Sequence, residues 1–199
     1  MIKGPVHSAL IRGVFHTCIG LVFVITLLFT SRFTASLALV FIAAVFITIE
    51  VVRLHIPAVN QRFLRWFALI LRDREATAIT GSSYFLVGCA ITAAAFPVYI
   101  TAPAILFMAV GDPTAALIGI WQGRIRFWGK SMEGHMACFA ACLLCGWIMA
   151  ATQDDLTLAV ATVGAITATL VQALPLPVND NLTMPVAGAV AMAITNIYW

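Results

Sequence analysis

Charge is the scarcest property of this sequence. Only 10% of its 199 residues are Asp, Glu, Lys or Arg, against about 25% in an ordinary soluble domain, while 62% are hydrophobic. So few polar side chains cannot cover an apolar core of this size with a water-facing surface, which excludes a soluble globular domain. A disordered chain is excluded too, because it needs low hydrophobicity and abundant charge. Internal repeats and low-complexity stretches are missing. So is a cleavable leader: Lys3 and Arg12 precede a long apolar run without a small-residue cleavage site, so the first span is expected to be retained. Cys18, Cys89, Cys138, Cys142 and Cys145 all lie in apolar runs. The last three share a helical face, a spacing that could serve a metal cluster but reads more simply as small packing residues.

The abundant part of the composition describes a membrane protein. A spanning helix takes roughly 20 residues plus a short connection, leaving room for about seven spans and no separate soluble domain. The expected fold class is therefore an all-α integral membrane protein, one polytopic transmembrane domain over residues 1–199. Its spans are expected at Ala9 to Thr30, Phe33 to Val52, Ile79 to Phe96, Val98 to Ile120, His135 to Thr152, Leu156 to Leu174 and Met184 to Trp199. Between the second and third, Asn60 to Arg72 places Gln61, Arg62, Arg65 and Arg72 along one helical face, with Phe63, Trp66, Phe67 and Ile70 elsewhere. That pattern suits a helix lying in the headgroup plane, or a solvated amphipathic loop.

Distribution of charge turns the spans into an orientation. Arg53, Arg62, Arg65, Arg72, Arg74, Arg124, Arg126 and Lys130 fall in loops on one side, while the other side carries only Arg32, Asp154 and Asp155. The positive-inside rule then puts the N-terminus in the cytoplasm and the C-terminus outside. On the cytoplasmic side this arrangement also gathers Arg12, His16, Glu50, Glu75, Glu133, Asn179, Asp180 and Asn181, polar groups from separate segments at one depth.

Asp112, in Gly111-Asp112-Pro113, is the most informative intramembrane residue. A carboxylate toward the middle of a span costs about 2.5 to 3.5 kcal/mol on insertion scales and normally faces a polar cavity or a partner. Pro113 removes a donor and disfavours helical geometry at Asp112, so the helix is expected to kink or break there. A basic loop follows, with Arg124, Arg126 and Lys130-Ser131. Lys130-Ser131 looks like the end of a phosphate-binding loop, without the upstream strand and glycine spacing of a Walker motif. Orientation alone would account for some of these cations. A proline-bounded stretch, Pro175 to Pro185, contains Asp180 and Asn181, hard oxygen ligands of the kind Mg²⁺ takes beside substrate phosphates.

Taken in order, Gly111-Asp112-x-x-Ala115-x-x-x-Gly119, Lys130-Ser131-x-Glu133-Gly134 and Asp180-Asn181-Leu182-x-x-Pro185 resemble the polyprenol kinase family of dolichol kinase, phytol kinase and the CTP-dependent diacylglycerol kinase, distant relatives of phosphatidate cytidylyltransferase. Arg12-x-x-x-His16-x-x-x-Gly20, Glu50-x-x-Arg53 and Arg74-Glu75 with Thr80-Gly81 and Tyr84 are similar to the family's earlier motifs. The sequence departs from that family in a short loop between Gly119 and Lys130 and in Gln172, where relatives often carry glutamate.

The resemblance implies transfer of the terminal phosphoryl group of CTP to a long-chain lipid alcohol, with Mg²⁺, at the cytoplasmic face. On that reading Asp112, Asp180 and Asn181 hold the metal. Arg74, Arg124, Lys130, Ser131, Gly111 and Asn181 bind nucleotide, and Asp112, Lys130, Asp180 and Glu133 carry the chemistry. The base for the lipid hydroxyl is left among Asp180, Glu133 and Glu75. His16 is either a phosphate contact or a core histidine, and Glu50 with Arg53 either a motif or a salt bridge. The expected partners are a nucleoside triphosphate, a lipid alcohol in the bilayer and membrane lipids, with no role for nucleic acid; small residues around Gly119 and Gly123 permit a homodimer. Two rivals are a CDP-lipid synthase, whose long C-terminal glycine- and histidine-containing signature is missing, and a small-solute transporter, which would have polar residues near mid-membrane in repeat-related spans and openings to both faces, whereas the outer half here is almost free of ionisable groups.

Overall fold

The computed structural model describes residues 5–198, which leaves Lys3 and Trp199 outside the described residues. The chain folds as α1 (Pro5–Phe29), α2 (Arg32–His55), α3 (Pro57–Phe67), a 3₁₀ turn (Asp73–Ala76), α4 (Gly81–Ala95), α5 (Val98–Leu106), a π-turn (Phe107–Gly111) and α6 (Asp112–Trp121). A two-residue hairpin, β1 (Arg126–Phe127) and β2 (Lys130–Ser131), precedes α7 (Met132–Thr152), α8 (Leu158–Ala173) and α9 (Asp180–Tyr198). Helix starts follow local chemistry. Ser31, Thr80, Ser131 and Thr157 each stand just ahead of a helix and accept a first-turn amide through the hydroxyl, satisfying donors that the helix itself leaves open.

Four helical stretches, Val6–Phe29, Arg32–His55, Val98–Trp121 and Met132–Thr152, are long and apolar enough to cross a membrane, and Gly81–Ala95 and Leu158–Ala173 are shorter apolar helices. Their outward faces expose large side chains such as Val14, Leu21, Phe41 and Ile148. An exterior this apolar is compatible with an integral membrane protein and foreign to a soluble monomer.

Three expectations are revised by the backbone. The helix through Asp112 does not break; Val98–Trp121 runs on through the π-turn, a local widening just ahead of Asp112. Its physical basis is visible at Pro113, which cannot donate to the carbonyl of Ala109. Thr17 Oγ1 from α1 donates to that carbonyl instead, at 2.7 Å, and the wider turn gives the proline ring room. Second, the amphipathic helix spans Pro57–Phe67 rather than Asn60 to Arg72, because Pro57 is preset for the first helical turn and the chain turns after Phe67. Third, α9 begins at Asp180, so Asp180 and Asn181 occupy its first turn and not a loop.

Helix α1 packs on α5 and α6, α2 on α4, α4 on α9, and α6, α7, α8 and α9 follow one another around the bundle. Phe107, fully buried in the π-turn, is the hub. A β-carbon added at Gly146, Gly164 or Gly188 would lie 3.3, 3.0 or 3.4 Å from its ring, so three helices approach closely enough to enclose it. Phe107→Ala leaves a cavity that these glycines cannot fill. A loss of about 3 to 5 kcal/mol is expected, read as a lower melting temperature of the detergent-solubilised protein.

Candidate active site

The polar loops meet at one end of the bundle, where the connection from α3 to α4, the hairpin and the turn before α9 converge. Their scaffold is a buried network around Arg53, which is 0% exposed. Its guanidinium donates to Glu50 Oε2, to Asn60 Oδ1 at 3.0 Å, and to the carbonyls of Glu75 at 3.2 Å and Ala78 at 2.7 Å, and lies 4.7 Å over the Phe63 ring. Glu50 Oε1 accepts from the Thr80 hydroxyl at 2.7 Å and the Ser83 hydroxyl at 2.9 Å. Glu75 accepts the amides of Gly81 (2.8 Å) and Arg72 (2.9 Å), one on each oxygen. These three charged residues tie α2, α3 and the segment before α4 into one unit. Between the amides of Arg72 and Glu75, that unit presents Arg72 and Arg74 outward.

Beside this scaffold lies a cleft of about 290 Å³ bordered by Arg72, Arg74, Asp112, Arg126, Lys130 and Asp180. Asp112 lies at its floor, 8% exposed, with the Gln172 side chain beside it. Among the described residues no Lys or Arg forms an ion pair with it. Lys130 instead bridges to Asp180 at 3.0 Å and also donates to the Gln172 carbonyl. Four cationic side chains thus face two carboxylates, one of them unpaired. An unpaired buried carboxylate under a cationic rim is costly unless a cation joins it, and the rim matches an anion with several phosphates.

A second cleft shares Arg74, Lys130 and Asp180 with the first and continues past Glu75 and Tyr84 to the loop Leu174 to Asn179. The Lys130–Asp180 pair therefore stands between two lobes of one depression.

Not every sequence candidate reaches it. Lys130, Ser131, Arg74, Asp112 and Asp180 do. Arg124 and Glu133 border a different surface pocket, where Glu133 Oε1 accepts the amides of Arg124 and Ile125 and closes the loop ahead of β1. Gly111 is buried against α7, where a β-carbon would meet Cys142 Sγ at 2.6 Å and Cys138 Sγ at 3.2 Å; the cysteines of α7 line that close approach. Gly119 and Gly123 face Ser131 of the same chain, so the small-residue stripe is used within the bundle. Asn181 is fully buried, its amide donating to the Gly81 carbonyl at 2.8 Å and its Oδ1 without a hydrogen-bond partner among the described residues. Glu50 and Arg53 form a structural pair, and His16 lines a separate apolar groove.

Sequence reasoning gave no site role to Arg72 or His135, which border the cleft together with Arg126 and Gln172. His135 Nδ1 and Gln172 Oε1 are 2.8 Å apart, joining α7 to α8 behind Asp112. Gln172 carried a signal, a polar residue late in an apolar helix; His135 stood one turn past the Ser131 cap.

No family model matches the chain, and no solved structure matches it. It is similar to an uncharacterized protein of Rickettsia prowazekii, 26% identical over 190 residues that make up 92% of each chain. It is also similar to CTP-dependent diacylglycerol kinase 1 of Schizosaccharomyces pombe, 25% identical over 108 residues, 50% of this chain and 47% of that protein. The second match supports a distant relationship to that lipid kinase over about half its length.

Proposed function

We propose that this chain is a polytopic membrane enzyme that transfers the γ-phosphoryl group of CTP to the hydroxyl of a lipid alcohol. The observation that carries the reading is Asp112: a buried carboxylate without an ion-pair partner, beneath Arg72, Arg74, Arg126 and Lys130. Similarity to a CTP-dependent diacylglycerol kinase agrees with it. In this reading the helices make seven crossings, α3 lies at the headgroup level and the charged end faces the cytoplasm, as the excess of Arg and Lys there favours.

The residues fit Mg²⁺, which takes one or two carboxylates together with phosphate oxygens. Asp112 and Asp180 would hold it; Asn181, turned to Gly81 and outside the cleft, supports the backbone instead. When bound, the ion neutralises charge on the phosphates. Lys130 and the three arginines orient the triphosphate and stabilise the charge that spreads over the transferred group. Phosphoryl transfer of this loose kind depends on positioning and electrostatics more than on a strong base. Of the three carboxylates proposed from sequence as proton acceptor, Asp180 is the one in the cleft with Asp112 whose oxygens are not both held by amides. The second lobe, with Tyr84 and the Leu174 to Asn179 loop, offers an aromatic face and carbonyls to the nucleoside.

Membranes containing the protein, given CTP labelled at the α- or γ-phosphate and a panel of polyprenol, phytol-like and diacylglycerol acceptors, test the reading, with ATP as the control donor. Label from the γ position is expected in the lipid. Label arriving from the α position would establish a CDP-lipid synthase instead. Lys130→Met should slow γ-transfer roughly 10²-fold by removing one charge-stabilising donor.

A further inference from the structure

Gln172, near the end of α8, is buried and borders the cleft. Its main-chain carbonyl accepts from Lys130 Nζ, which also bridges to Asp180 at 3.0 Å. The ammonium is thereby held at Gln172 and Asp180, and it makes no ion pair with Asp112 among the described residues. The side chain of the same glutamine lies against Asp112. One residue thus touches both the cation and the carboxylate, the first through its backbone and the second through its amide.

Which end of that amide meets Asp112 follows from a third group. His135 Nδ1, in the first turn of α7, is 2.8 Å from Gln172 Oε1. An amide oxygen only accepts, so the imidazole carries a proton on Nδ1 and donates it. With Oε1 engaged, the Nε2 amino group is what Gln172 has left for Asp112, an acceptor-only carboxylate. The flipped amide would set Oε1 against a carboxylate oxygen, two acceptors in contact at a buried site. A neutral donor also differs from a cation in this place. Lysine or arginine would cancel the charge of Asp112, whereas an amide fixes one oxygen and leaves the charge for a ligand.

We infer that Gln172 is a positioning residue: its amide, aimed by His135, holds one oxygen of Asp112 and turns the other to the cleft for a divalent cation. The inference rests on the metal-holding role proposed for Asp112. Partners one step removed from an ion typically change its affinity about 10- to 100-fold when they are lost.

The test is the melting temperature of the full-length protein in detergent as MnCl₂ replaces NaCl at constant ionic strength, without nucleotide or lipid substrate. Mn²⁺ takes the same oxygen ligands as Mg²⁺, and an ion that binds only the folded protein raises its stability with concentration. Gln172→Met, which keeps the length and loses the donor, should need about tenfold more Mn²⁺ for the same rise. His135→Leu should move in the same direction. His135→Asn, whose amide reaches the position of Nδ1, should return most of the response, and Asp112→Asn should abolish it. A purely structural His135–Gln172 contact would lower the melting temperature without metal and leave the Mn²⁺ dependence alone. That result overturns the inference, as does a His135→Asn protein that responds no better than His135→Leu.

The outcomes separate this role from the readings beneath it. If Asp112→Asn keeps the full response, Asp112 holds no metal and both claims fall. If Asp112→Asn loses the response and Gln172→Met keeps it, the positioning role alone falls. If every Mn²⁺ result is as expected and no γ-label enters lipid, the kinase reading alone falls.

Discussion

Asp112→Asn is expected to abolish lipid phosphorylation, by on the order of 10³-fold or more, while leaving the protein at least as stable as before. Both halves follow from one arrangement. Asp112 is held 8% exposed at the end of the π-turn with no ion-pair partner among the described residues, so its charge is a standing cost to the fold. Asparagine keeps the shape and removes the charge. The fold gains what the site loses, the trade-off expected where a function requires a destabilising group. Transfer of γ-label from CTP and thermal melting in detergent, measured on the same preparation, check the pair. Activity above one tenth of the original would exclude Asp112 as the metal-holding carboxylate. If Asp112→Asn stopped solute flux across liposomes and left phosphorylation intact, the protein would be a transporter.

Arg53→Ala should cost about 3 to 5 kcal/mol of stability, because it strands Glu50 as an uncompensated buried charge. The arginine is 0% exposed, and its bonds reach α2, α3 and the carbonyls before α4. The loss should therefore appear as early proteolysis between Pro57 and Thr80 and as reduced accumulation in membranes. Arg53→Met combined with Glu50→Leu should recover much of that stability, since a well-packed apolar pair avoids the desolvation of both ions. It should not recover catalysis fully: without the bonds from Arg53 to the Glu75 and Ala78 carbonyls, the backbone that carries Arg72 and Arg74 loses its anchor. A single Arg53→Ala protein that melts normally would refute this account of the network.

Much of the fold was legible in the residues. The expected apolar segments coincide with α1, α2, α4, α5–α6, α7, α8 and α9 to within a few residues, because apolar run length and Ser or Thr caps are local signals. The π-turn that carries the helix through to Asp112 was not, since it is accompanied by the bond from Thr17, which is 92 residues from Ala109 in sequence. For the same reason only some of the candidate site residues lie together. Asp112, Lys130, Ser131, Arg74 and Asp180 share a cleft, whereas Arg124 and Glu133 serve a loop on another face and Asn181 is buried behind it. Charge and motif spacing identify polar residues near one end; they do not say on which side of a helix each one lands.

By itself the sequence determined that this chain is helical and suited to a membrane, and that its charges gather at one end, because length, hydropathy and charge placement are sums over residues. A Glu50–Arg53 pair one turn apart was already open to the sequence; only the tertiary structure decided how the charges as a set are spent. Glu50 is paired to Arg53, Glu75 to two amides and Asp180 to Lys130, and Asp112 is left unpaired at the bottom of a cationic cleft. Where the partner lies far along the chain, as Asp180 does from Lys130, packing alone sets the distance that decides whether a charge is structural or free to bind.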